Sequence, residues 1–76
     1  MKKRVYIAIR VCSTGREHLR MILGVYSTRK GAVRACDDDY DRTRTPEFVE
    51  AARMLDIYSV RHDVHMHEVD PPRRTG

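Results

Sequence analysis

Apolar and polar residues alternate with a period of two near the start of the chain. Val5, Ile7, Ile9 and Val11 take one parity, and Tyr6, Ala8, Arg10 and Cys12 take the other. That pattern predicts a half-buried strand, because successive side chains of a strand point to opposite faces. Leu19, Met21, Leu23 and Val25 alternate in the same way with His18, Arg20, Ile22, Gly24 and Tyr26. The polar link Ser13-Thr14-Gly15-Arg16-Glu17 joins the two strands into a hairpin. A pairing of odd with odd residues sets Val11 opposite Leu19, Ile9 opposite Met21 and Ile7 opposite Leu23. The inner face is then wholly apolar, and a one-residue slip would bury charges.

After the hairpin the period changes. Ser27 or Thr28 suits a helix N-cap, since a hydroxyl there accepts from free amides of the first turn. Ala32, Val33, Ala35, Cys36 and Tyr40 follow at helical spacing. Asp37-Asp38-Asp39 and Asp41 sit where the helix dipole favours cations, so this helix is expected to fray or stop there. Thr45-Pro46-Glu47 is a restart signal: a cap, a proline suited to the first position, and an acid for the positive end. Phe48, Val49, Ala52, Met54 and Leu55 form the next apolar stripe. Residues 28–55 therefore carry one or two helices.

A third strand is predicted from about Asp56 to Val69. Tyr58, Val60, Val64 and Met66 share one parity, with His62 and Glu68 as polar intrusions expected near an exposed end or edge. Ser59, Arg61, Asp63, His65 and His67 share the other. Pro71-Pro72 should stop it, leaving 71–76 as a flexible basic tail. The expected fold is α+β, ββααβ. It is one domain over 1–70, with a three-stranded antiparallel sheet of order 2-1-3 and the helices on one face.

Composition narrows the function classes. The chain has 76 residues, and 34% of them are charged, against about 25% usually. It has no Trp and one Phe, which suits a thin two-layer fold. A multi-domain enzyme with a deep substrate cavity is excluded on size. No apolar run reaches the roughly eighteen residues of a membrane-spanning helix. Met1-Lys2-Lys3-Arg4 resembles the basic start of an export signal, but Arg10 interrupts the apolar stretch behind it. The formal net charge is +4. Setting aside Lys2, Lys3, Arg4, Arg73 and Arg74 leaves ten basic residues against eleven acidic ones, so the body is near neutral. Cys12 and Cys36 are too few for a disulfide scaffold. Free thiols and a cytoplasmic setting are expected.

The stretch Gly24-Val25-Tyr26-Ser27-Thr28, followed by a helix with an early Ala32 and a closing strand, is a G-V-Y-S-[ST] strand-to-helix motif. It resembles a group of small uncharacterised ββαβ proteins of bacteriophages and actinobacteria. The segment from Asp37 to Leu55 is longer here than that pattern usually has. The resemblance implies a phage-type accessory protein, in the host cell cytoplasm if phage-encoded, and brings no catalytic residues with it.

The sheet face away from the helices is the candidate working surface. It is expected to carry Tyr6, Arg10, Cys12, His18, Arg20, Ile22, Tyr26, Arg61, Asp63 and His65. Arg10 would lie opposite Arg20, and like charges facing across strands are destabilising unless an anion relieves them. Ile22 and Tyr26 favour a protein contact, since exposed large apolar groups mark interfaces. The predicted partner-binding residues are Tyr6, Arg10, Arg20, Ile22, Tyr26 and Arg61. A symmetric dimer through the same face is a close variant. The alternative is nucleic acid, held by the basic face and basic tails with tyrosines stacking on bases. The plainest alternative is a solvated face with Asp63 or Glu17 as counter-ions.

Other constellations yield less. His62, His65 and His67 with Asp63, Glu68 and Asp70 suggest a metal cluster, yet on a strand only Asp63, His65 and His67 share a face, and no paired zinc spacing is present. Asp37, Asp39 and Asp41 begin like a calcium loop, but Arg42 stands at its glycine position and Phe48 at its last ligand. Cys12 to Arg16 resembles a phosphate loop but joins two strands and lacks a helix dipole. No nucleophile–base pair and no nucleotide loop appears. The expectation is a non-enzymatic protein-binding module without metal or cofactor.

Overall fold

The computed structural model describes residues 3–69; the tail expected over 71–76 lies outside the described residues. Five elements follow in order: β1 (Lys3–Thr14), β2 (His18–Tyr26), α1 (Arg29–Arg42), α2 (Pro46–Met54) and β3 (Ile57–Val69). The strands form one antiparallel sheet in the order β2-β1-β3, with both helices packed against it. This is the expected α+β architecture.

The hairpin turn is built around Thr14. Its amide and hydroxyl both donate to the Glu17 carbonyl, and its hydroxyl accepts from the amides of Arg16 and Glu17. Amides that a phosphate would need are thus already engaged.

The register differs from the expected one. Ile9 pairs with Ile22, Arg10 with Met21, Val11 with Arg20 and Cys12 with Leu19. Beyond Ile9 the register shifts again, so that Ala8 pairs with Gly24, Ile7 with Val25 and Tyr6 with Tyr26. Leu23 is the extra residue of a β-bulge. Strict alternation would send Leu23 and Tyr26 to opposite faces; the bulge lets both pack against the helix-side core. The Tyr26 ring lies over Gly24, where an added Cβ would stand 2.7 Å from its hydroxyl oxygen.

The core under α1 is small. Ala8, Ala32 and Cys36 form it, with Tyr6, Leu23, Tyr26, Ala35 and Val64 packed around them. Ala8 and Ala32 are both fully buried. Two alanines in contact let the helix approach the central strand closely, where an isoleucine would hold it off. The even residues of β1 therefore face the helices, and the apolar odd residues face away. This reverses the expected orientation of that strand.

Of the two caps the sequence offers, Ser27 and Thr28, helix α1 uses Thr28, whose hydroxyl accepts from Gly31 N at 3.1 Å. It does not stop at the acidic run but continues through it to Arg42. Asp37, Asp38 and Asp41 point to solvent, while Asp39 turns to the sheet and is only 5% exposed. Arg42 gives the last turn its cation, and the Thr43 amide closes it on Asp39 and Asp41 carbonyls. Helix α2 begins at Thr45 and Pro46 as predicted, with the Thr45 hydroxyl accepting from Phe48 N. It leans on β3, and none of its residues is fully buried. Asp56 then takes a left-handed turn at φ 59° to enter β3, a conformation that Asp tolerates better than most residues.

Candidate protein-binding face

Two surfaces of the sheet carry the residues singled out by the sequence, and they divide them. Tyr6, Arg10, Cys12 and Tyr26 lie on the helix side, not on the open face. Arg20, Ile22 and Arg61 lie on the open face, as expected, together with Asp63, His65 and His67.

On the helix side Arg10 is the centre of a buried polar network. Its Nη1 lies 3.2 Å from Asp39 Oδ1 and 3.3 Å from Oδ2. Its Nη2 meets Met21 Sδ at 3.0 Å, and the guanidinium sits 5.2 Å from the Phe48 ring centre. His62 Nε2 is 2.8 Å from Asp39 Oδ2. The Tyr40 ring meets the His62 ring edge-on. This holds α1, β1 and β3 together around one carboxylate, so His62 is a structural partner and not a stray polar residue. Arg10 no longer faces Arg20, and the like-charge clash expected between them does not arise.

Cys36 lies beside this network, its thiol 3.7 Å from the Asp63 carbonyl. Burial pushes its pKa up, a backbone hydrogen bond from Ile9 pulls the other way, and Asp37, Asp39 and Asp63 add to the rise. Cys12 and Cys36 are both free and both buried. Among the described residues, no three His, Cys, Asp or Glu side chains group as a metal site.

The open face is apolar along its middle. Val5, Ile7, Ile9 and Val11 form a stripe of β-branched residues down β1. Ile22 and Val25 of β2 stand beside Ile9 and Ile7, and they are 65% and 60% exposed. Val11 is buried between Arg20 on one side and Arg61 on the other. Along β3 the stripe is edged by Arg61, Asp63, His65 and His67, with Arg61 Nε 3.4 Å from Asp63 Oδ2. Among the described residues, no element packs over this face. The alternation of Val5, Ile7, Ile9, Val11 and Val25 predicts an inner, helix-covered face for them, and the structure turns them to the open side. Their alternation is visible in the sequence; which side it faces is not.

No helix of the described residues is long and apolar enough to cross a membrane. No family model matches the chain, and neither a curated protein nor a solved structure matches it.

Proposed function

We propose that this chain is a non-enzymatic protein-binding module, a phage-type accessory protein that docks on a host or phage protein and occludes part of its surface. The open face of the sheet is the contact. The observation that carries this reading is the apolar stripe of exposed Ile22 and Val25 beside half-buried Val5, Ile7 and Ile9, over which no described element packs. A contiguous apolar patch with a charged rim has the anatomy of a protein interface. Arg20 and Arg61 sit on that rim and would set orientation more than affinity. Nucleic acid is less well served, because Arg10 is withdrawn to Asp39 and Arg61 is shared with Asp63.

The test is capture from bacterial lysate, with and without nuclease, by the wild-type chain and by Ile22→Asp. Ile22 is exposed, so the substitution leaves the helix-side core intact. The expected result is a discrete protein that survives nuclease and is lost with Ile22→Asp. Recovery of nucleic acid alone, falling steeply with salt, would replace this reading with the nucleic-acid one.

A further inference from the structure

We infer that, when no other partner is bound, the open face is closed by a second copy of this chain, in a two-fold symmetric dimer packed sheet on sheet. The inference rests on reading that face as a protein-binding surface, and it names the occupant. Dimer and partner complex then compete for the same residues.

Three observations point to a second copy. The first is the poverty of the core. Among the described residues the buried apolar side chains are Ala8, Val11, Cys12, Ala32 and Cys36. A core this small supplies little stability, and small folds commonly supplement it with a disulfide, a metal or an oligomer; here both cysteines are free. Face-to-face packing would bury Ile7, Ile9, Ile22 and Val25 from both copies, a larger apolar layer than the one under α1.

The second observation is size. From Val5 to Val11 the stripe runs about 20 Å at roughly 3.3 Å per residue, and three strands span about 14 Å with their flanks. Two such faces cover about 560 Å² in total, below the roughly 1,000 Å² of a tight specific interface, so the contact is of the weak, exchangeable class that yields to another partner.

The third observation is self-complementary polar pairing, and it selects the axis. The register defines levels across the sheet: Ile7 with Val25 and His65, and Ile9 with Ile22 and Asp63. The level of Val11 carries Arg20 and Arg61, and that of Val5 carries His67. A two-fold axis along the strands would stack β2 on the partner's β3 at equal level. Arg20 would then meet Arg61 of the other copy, and Ile22 would meet Asp63. An axis across the strands at the level of Ala8 does the reverse. Ile9 then covers Ile7 of the other copy, Ile22 covers Val25, and Asp63 faces His65, twice by symmetry. Arg20 and Arg61 move to the two ends, away from one another, where Arg61 faces His67 of the other copy. Aligned packing of this kind, sheets about 10 Å apart and turned by about 30°, is the ordinary geometry of a β-sandwich. An isologous contact closes on itself and stops at the dimer.

The experiment is sedimentation equilibrium on the purified full chain across the micromolar range. The expected mass is twice the 8.9 kDa of one chain. Asp63→Lys would set a lysine against His65, and His65→Asp would set two acids together. Each should weaken the dimer about tenfold or more, and the double variant Asp63→Lys/His65→Asp should recover most of that loss. Ile22→Lys, at an exposed position, should give monomers with an unchanged circular dichroism spectrum. A wild-type chain that is monomeric throughout would overturn the inference. So would a dimer indifferent to these changes, or single-variant losses that the double variant does not recover. A monomeric chain that still captures a protein through Ile22 would sink the dimer alone. A dimer that captures nothing would sink the partner reading alone.

Discussion

Arg10 on the central strand and Asp39 on the first helix form an ion pair 29 residues apart in sequence, at 3.2 Å, with both side chains largely withdrawn from water. The pair explains two features at once. It carries α1 through an acidic run that would otherwise end it, and it fixes which parity of β1 faces the helices. His62 shares the same carboxylate from β3. The Nε of Arg10 is buried and finds no acceptor among the described residues, so the network is not fully satisfied and depends on its Asp39 contacts.

Arg10→Ala is therefore expected to destabilise the fold by about 3 kcal/mol, since it leaves a buried carboxylate with His62 alone. Arg10→Met should cost less than Arg10→Ala, because it retains packing against Phe48 and Met21. Urea unfolding of the three chains measures this. Equal stability of wild type and Arg10→Ala would show that the pair contributes nothing.

The contact between Ala8 and Ala32 sets the distance of α1 from the sheet. Ala8→Leu should destabilise by about 2–3 kcal/mol through overpacking, because neither the strand nor the helix has room for three more carbons. Ile7→Leu, one position away but on the open face, should change stability by less than about 1 kcal/mol. Thermal melts of both variants at one fixed concentration check the contrast, and a mild Ala8→Leu would contradict the assigned face of β1.

Cys36 gives the fold an alkaline limit. Its thiol titrates higher in the folded chain than its ordinary value of 9.0, chiefly from burial. Below about pH 9 the thiol is protonated in both states and contributes no pH dependence. Above it the unfolded chain releases the proton while the folded chain keeps it, so stability falls as pH rises. Denaturant unfolding between pH 8 and pH 11, as rough limits, should show this fall. In Cys36→Ala the fall should be shallower. Identical slopes for the two chains would dismiss the thiol as the cause.

The sequence by itself determined the elements and their order. Ser27-Thr28 and Thr45 marked both helix starts to within a residue, and the alternations marked all three strands, because caps and strand periodicity are local properties of the backbone. It also placed Arg20, Ile22 and Arg61 on the open face correctly, since β2 below the bulge and β3 keep the expected parity. It could not orient β1. A strand with β-branched residues on one parity and Ala8, Arg10 and Cys12 on the other has two possible inner faces, and hydrophobicity alone favours the former. Tertiary packing chose the latter, for two reasons that span the chain. Ala32 and Cys36 on α1 require a small residue beneath them, and Asp39 requires a cation. The bulge at Leu23, which turns Tyr26 inward, likewise depends on what α1 presents to β2. Local pattern therefore fixed where each element lies, and the side chains of one distant helix decided which face of the sheet was left open to bind.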